Sequence, residues 1–249
     1  MARQTGGKFL IRIEDIDVLR CTPAFAQAAL DDLEWLGLVS DEPVLFQSRH
    51  LPDYRLAQNR LREKGLLYRC FCSRQDIAEA AKDGKRDPEG QPIYPGTCKR
   101  LTESERDRLA ATIPHAWRID MAAAVTEVGK PLTFHEESTG REELADPGGW
   151  GDVVLARKDI ATSYHIAVVV DDARQAITHV VRGRDLYSAT GIHRILQELL
   201  GFPESRYHHH RLIGDAAGRK LAKRAGDRSL AGLSAAGVTP HDIRRTFDL

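Results

Sequence analysis

Three of the four cysteines lie close together in the chain. Cys70 and Cys72 are separated by one residue, and Cys98 follows Tyr94 by four positions, giving Cys-x-Cys and then Tyr-x-x-x-Cys. Thiolates are good zinc ligands, and four donors close a structural tetrahedral site. Residues i and i+2 of an extended segment point the same way, so Cys70 and Cys72 can share one ion. A distant third cysteine would pin residues 82–92 (KDGKRDPEGQP), a polar, Gly- and Pro-rich stretch that reads as a loop. A small insertion with little core of its own needs such a staple. A phenol is an unusual fourth ligand because it must give up or share its proton. Spacing alone therefore leaves two readings open, a metal site or two buried thiols with a bystander.

Three further groups of residues could do chemistry. The segment GDAAGRKLAKRAGD carries Lys220, Lys223 and Arg224 between glycines. Cations on a mobile loop can close over a polyphosphate and neutralise charge that develops as a phosphoryl bond breaks; the plain alternative is an exposed basic turn. Glu14, Asp15 and Asp17 follow an apolar strand, where ligands of open α/β sheets sit; the plain alternative is a solvated turn. Arg182 ends the apolar run ITHVV, and a guanidinium at a strand end suits a carboxylate. Its plain alternative is an ion pair with Asp171 or Asp172. The run His208-His209-His210 is read as structural or as lying near a nucleotide, because adjacent strand residues face opposite sides and cannot share one ion.

These groups must be held by elements that the pattern also predicts. Residues 9–13 (FLIRI) alternate as a strand. Thr22 and Pro23 start a helix with Phe25, Ala29, Leu33 and Leu36 on one face and Gly37 as its stop. A second helix begins near Pro52, buries Tyr54, Ala57 and Leu61, and ends at Gly65. Residues 66–72 read as a strand, residues 73–81 as a brief helix, and Thr102 with Glu105 as a capping box. HAWRI, PLTFHE, DVVLAR and ITHVV read as strands. Residues 188–200 read as a helix burying Ile192, Ile195, Leu196 and Leu199, and Thr239-Pro240 opens a last helix. Alternation of this kind predicts an α/β fold with a mostly parallel sheet.

Composition excludes little but agrees. At 249 residues, 42% hydrophobic and 29% charged, the chain is an ordinary soluble domain, with no apolar run near the ~20 residues of a membrane span. No signal-peptide core follows Met1, so a cytoplasmic protein is expected, in which clustered cysteines favour metal over disulfide. With 36 cations against 36 anions, only a local basic face could hold nucleic acid. One basic stretch runs over residues 204–228, and a solvated surface explains it equally well.

FLIRIEDID, YRCFC…IYPGTC, SYHIAVVVDDA, ITHVVRGRDL and GRKLAKR occur in one order. This order resembles the bacterial glutamyl-queuosine tRNA(Asp) synthetases, shortened relatives of glutamyl-tRNA synthetase, from about residue 4 to about residue 226. The resemblance implies a class I synthetase Rossmann-like catalytic domain over residues 1–68 and 112–249, a zinc-bound insertion over 69–111, and no anticodon-binding domain. It implies that Glu14, Tyr164 and Arg182 bind glutamate and that Lys220, Leu221, Ala222, Lys223 and Arg224 form the ATP-binding loop, with Lys223 catalytic. Cys70, Cys72, Tyr94 and Cys98 would hold Zn2+, and ATP would arrive with Mg2+. The partner would be the anticodon loop of tRNA(Asp), met by a monomer away from any membrane.

Two departures qualify the expectation. Ala222 stands where these loops usually carry Ser, a loss of about 0.5–1.5 kcal/mol for one hydrogen bond. The family's first strand, its HIGH-type phosphate-binding turn and the start of the following helix are not found ahead of MARQTGG. An upstream start or an inactive, truncated relative acting as a binding module is therefore expected as an alternative, alongside a fragment of ordinary glutamyl-tRNA synthetase.

Overall fold

The computed structural model describes residues 1–82, 84–214 and 229–246. In chain order its helices and strands begin with α1 (Ala2–Thr5), β1 (Arg12–Ile13), α2 (Pro23–Trp35), β2 (Leu45–Phe46) and α3 (Leu51–Glu63). There follow β3 (Leu67–Cys70), α4 (Arg74–Ala80), α5 (Glu103–Ala110), β4 (Ala116–Ile119), α6 (Met121–Val128), β5 (Leu132–Glu136) and β6 (Arg141–Ala145). The remainder are β7 (Val154–Ala156), α7 (Tyr164–Arg174), β8 (His179–Gly183), α8 (Thr190–Leu200), β9 (Arg206–His210), α9 (Leu230–Ala235) and α10 (Pro240–Thr246). The chain divides into two compact units, Met1–Arg49 with Leu212–Leu249, and His50–Arg211.

In the first unit β1 and β2 pair in parallel, Arg12 with Leu45 and Ile13 with Phe46. The expected strand over residues 9–13 is thus only two residues long in ladder terms, although Phe9 still accepts from Asp41 N at 2.8 Å. Asp15 closes the pair, accepting from Ser48 N at 2.8 Å and Ser48 Oγ at 2.6 Å. Thr22 caps α2, its hydroxyl accepting from Phe25 N, and Pro23 takes the first helical turn, where its missing N–H costs nothing. The expected buried face of α2 is corrected. Only Ala26 is buried, Leu30, Leu33 and Leu36 are half-buried, and Phe25 and Ala29 are exposed. Apolar residues run around much of this helix, so two neighbouring stripes compete, and packing selects the one through Ala26, Leu30 and Leu33.

The second unit follows the sequence more closely. Tyr54, Ala57 and Leu61 bury one side of α3, and Ile192, Ile195 and Leu196 of α8 are wholly inaccessible. Tyr54 Oη donates to the buried Asp171 carboxylate at 2.9 Å, tying α3 to α7. Gly201, at φ 66°, ends α8 in the left-handed conformation that glycine adopts without strain.

The expectation of a mostly parallel sheet is corrected here. β3, β4 and β7 form an antiparallel sheet. A second sheet runs β6-β5-β9-β8, with β9 parallel to β5 and β8 but β5 antiparallel to β6. The turn between β5 and β6 is too short for the crossover a parallel pair requires. Between β3 and β4 lie α4 and α5, each opened by a capping box: Ser73 with Asp76, and Thr102 with Glu105 as the spacing predicts. No described helix is long and apolar enough to cross a membrane.

Candidate functional site

Arg182 is the centre of a directed polar network in the second unit. The parallel register of β8 and β9 sets it opposite His209, and the start of α8 supplies Thr190 and His193. Its Nε donates to His209 Nε2 at 3.0 Å, Nη1 to His193 Nδ1 at 2.8 Å, and Nη2 to Thr190 Oγ1 at 2.6 Å. A guanidinium only donates, so both imidazole atoms that meet it must be bare acceptors. His209 therefore carries its proton on Nδ1 and gives it to Glu136 Oε2 at 2.5 Å. His193 carries its proton on Nε2 and gives it to His165 Nδ1 at 3.2 Å.

The electrostatics follow from that arrangement. Glu136 and His209 side chains are both inaccessible to solvent. Burial opposes ionisation of Glu136, but donors from Ser138 and His209 outweigh it and hold the carboxyl down at about 2. Burial, and then the Arg182 charge, push His165 down to about 4. Burial likewise lowers His209, with Glu136 pulling the other way. Arg182 thus donates to neutral acceptors, and His209 links it to the Glu136 carboxylate.

A guanidinium has five N–H donors, and three of them are used by these acceptors. One N–H on each Nη remains, which is the pair that grips a carboxylate in fork geometry. Tyr164, the first residue of α7, packs edge-on against His193 at 5.6 Å between ring centres, so Tyr164 and Arg182 meet the same imidazole. The expected alternative, an ion pair of Arg182 with Asp171 or Asp172, is corrected: among the described residues its hydrogen bonds go to His209, His193 and Thr190. The bulky, donor-only group is already saturated on its inner side by the two imidazoles and the hydroxyl.

Glu14 lies in the first unit, exposed, one residue beyond β1. Its neighbour Asp15 is committed to Ser48, so the acidic run is not uniform in role. Lys220, Leu221, Ala222, Lys223 and Arg224 lie outside the described residues. Of the three histidines, His209 is structural as expected, and it also orients Arg182.

The second cluster gathers around the end of β3. Cys70, Cys72 and Cys98 bring their sulfurs within 4.8 Å of one another, with Cys72 and Cys98 at 3.5 Å. Tyr94 Oη is 3.6 Å from Cys72 Sγ and accepts from Cys98 N at 2.7 Å. Ligands of a tetrahedral zinc at 2.3 Å would be about 3.8 Å apart, so these spacings fit a four-donor site. Burial pushes the Cys72 thiol up to about 11 and raises the Tyr94 phenol. Burial also opposes ionisation of Cys98, but donors from Tyr94 and Phe71 N hold it below the ordinary thiol range. The Arg118 guanidinium lies 4.1 Å from the Tyr94 ring centre, a favourable position beside a donor set that is anionic when it ligates.

Sequence reasoning missed Glu136, Thr190 and His193. One signal was present: Leu132 and Phe134 set the inward side of β5, and Glu136 continues that alternation as an acid. An acid at an apolar-facing position marks a buried partner. Thr190 and His193 had no comparable signal.

The family model "tRNA synthetases class I (E and Q), catalytic domain" matches residues 1–247. The "Glutamyl-Q tRNA(Asp) synthetase" of Rhodobacter capsulatus is 46% identical over 268 aligned positions, covering 100% of this chain and 91% of that protein. The protein of the same name from Symbiobacterium thermophilum is 38% identical, covering 97% of this chain and 76% of its own length. Among solved structures, glutamate-tRNA synthetase from Elizabethkingia anophelis superposes with a TM-score of 0.73 at 26% identity. The match covers 91% of this chain and 48% of that one, so the chain spans about half the length of the solved enzyme.

Proposed function

This chain belongs to the class I aminoacyl-tRNA synthetase family of glutamate and glutamine enzymes, in its catalytic domain, and from that premise we propose that it activates glutamate with ATP and transfers it to the queuosine base of tRNA(Asp). In the first step an oxygen of the glutamate α-carboxylate attacks the α-phosphorus of ATP. The bond to the β-phosphate oxygen breaks, pyrophosphate leaves, and glutamyl-adenylate forms. In the second step a hydroxyl of the queuosine base attacks the activated carbonyl, an ester forms, and AMP departs with the electron pair of the acyl–oxygen bond.

The observation that supports this reading best is the pair of N–H donors left on Arg182 once its inner side is held by neutral acceptors. A carboxylate of glutamate takes that fork, with Tyr164 against the shared His193 and Glu14 assigned to the substrate by resemblance. Lys220 to Arg224 form the loop that meets ATP and its Mg2+, with Lys223 stabilising charge on the phosphates as the bond breaks. Ala222 in that loop forgoes one hydroxyl contact.

Cys70, Cys72, Tyr94 and Cys98 hold a Zn2+ that ties residues 69–111 together. Closed four-ligand zinc supplies folding energy rather than a reactive position. The protein works as a monomer in the cytoplasm, where ATP and tRNA are present.

The test is glutamate-dependent ATP–pyrophosphate exchange, followed by acylation of tRNA(Asp) with and without queuosine. Exchange together with transfer only to the queuosine-bearing tRNA is the expected result. Transfer to tRNA lacking queuosine would point to an ordinary glutamyl-tRNA synthetase. Folded protein with no exchange would point to a binding module.

A further inference from the structure

The second unit carries a cationic cleft that the amino-acid site does not use. It has a volume of about 370 Å³ and is lined by the outer side of α3, by β4 and by the segment after β7. Arg55, Asn59 and Arg62 recur at i, i+4 and i+7, so they share one face of α3, beside the face that buries Tyr54 and Leu61. Arg157 and Lys158 complete the wall, and Asp159 is the one carboxylate among the lining residues. In a chain whose charges balance, 36 against 36, four cations to one anion in a single cleft is a strong local bias.

The four cations are not equivalent. Arg157 is engaged by Asp159 at 2.7 Å, and Lys158 Nζ donates to Phe71 O at 2.6 Å. Among the described residues, neither Arg55 nor Arg62 is ion-paired. The Arg62 guanidinium lies 5.4 Å from the Trp117 ring centre, where cation–π attraction holds its planar fork without using its N–H donors. Arg69 lies against the same indole at 5.3 Å, and His115 meets it edge-on at 5.5 Å. Pre-ordered guanidiniums beside aromatic rings fit phosphodiester oxygens and base faces. The cores of protein interfaces, by contrast, are depleted in charge.

We propose that this cleft, built on Arg55, Asn59 and Arg62 with Trp117 behind them, is a contact surface for the phosphate backbone of the acceptor RNA. The assignment rests on the reading above that an RNA receives the activated glutamate. It adds where that RNA is gripped away from the reacting carbonyl. The contact is electrostatic and independent of sequence, so it positions the RNA while specificity resides at the base that reacts.

The test is binding of fluorescein-labelled tRNA(Asp) by anisotropy, across a salt series, for the full chain, for Arg55→Ala/Arg62→Ala and for Arg55→Lys/Arg62→Lys. Each lost phosphate contact lowers the salt slope by about 0.7–0.9, so the alanine pair should lose about tenfold less affinity than the parent between about 50 and 200 mM salt. The lysine pair keeps both charges and should keep the parental slope, which separates charge from any structural effect of the alanines. Parental affinity and slope in the alanine pair would overturn the proposal, as would displacement of the tRNA by polyglutamate as effective as displacement by unlabelled tRNA. Pyrophosphate exchange without tRNA reads the synthetase activity separately, so failure of that reading and failure of the RNA contact give different results.

Discussion

Replacing Glu136 by glutamine exchanges one oxygen for a nitrogen of similar size, yet the network predicts an effect on Arg182, two hydrogen bonds away. Glu136 Oε1 accepts from Ser138 N, Ser138 Oγ and His209 N at 3.1, 2.5 and 3.1 Å. In Glu136→Gln the amide carbonyl takes those three donors, which leaves the amide NH2 facing His209 Nδ1. Two donors then confront each other, so His209 must move its proton to Nε2. That proton points at Arg182 Nε, where the native ring accepts at 3.0 Å, and one grip on the guanidinium is lost. A hydrogen bond involving a charged group is worth about 1.5–3 kcal/mol, so the glutamate KM should rise about 10- to 100-fold if Arg182 holds the substrate carboxylate. The KM for ATP should stay at its parental value. Steady-state pyrophosphate exchange measures both constants, and nitrogen NMR of the imidazoles reads the tautomer directly. Ser138→Ala is the control, because it removes a donor to Glu136 without reversing the His209 proton. An unchanged glutamate KM in folded Glu136→Gln, with the tautomer reversed, would refute the link between this network and substrate binding.

Acid should destabilise the second unit in two stages. His165 is neutral in the fold, with its pKa at about 4 against 6.5 for the free ring, so the unfolded chain binds the extra proton and stability falls as pH drops from about 6.5 to 4. Glu136, held at about 2 against 4.5, removes a second increment between about 4.5 and 2. Each stage is at most about 3.4 kcal/mol at 1.36 kcal/mol per unit, and urea melts across pH 7 to 3 check the first, where a flat midpoint would contradict it. Stripping metal with a strong chelator should release one zinc per chain, measured by a colorimetric indicator, and raise amide exchange in residues 69–111 before the rest of the second unit. Gly191→Ala should lower stability by about 1–3 kcal/mol in a thermal melt, since its Cβ would sit 2.7 Å from Asp146 O at the start of α8. A melting temperature equal to the parent's would show that this contact relaxes freely.

The elements of the second unit were largely legible because their signals are local. Apolar spacing on α3 and α8, the Thr102–Glu105 box and the cysteine spacing each concern residues within a few turns of one another. The α2 face was misread because apolar residues surround the helix, and only tertiary contact chooses between stripes. Strand direction was misjudged because runs such as DVVLAR and HAWRI indicate strands without saying which neighbour they meet. Arg182 was found from its place at a strand end, but its partners come from β9 and the start of α8, with Glu136 of β5 behind His209. Such a constellation depends on sheet order, and sheet order is not written in any one segment. The metal donors lay between these cases, since spacing suggested the cysteines and only the resemblance raised Tyr94 above a bystander.

The pairing of β8 with β9 has a further consequence for how the chain finds its working alignment. Three consecutive histidines mean that a one-step slip of β9 would still present an imidazole to Arg182, so the histidines themselves are a degenerate address. The discriminating residue is Tyr207. It is 1% exposed, lies parallel to the His209 ring with 4° between their planes, and is hydrogen-bonded through its hydroxyl to Gln197. A one-residue slip would turn Tyr207 to the opposite side of the sheet, stranding a large ring in water and a polar α8 side chain without its partner. The aromatic ring thus acts as the index mark for an imidazole two residues away. Erasing that mark, rather than any histidine, is the change that would let the strand settle in a wrong frame with its chemistry superficially intact.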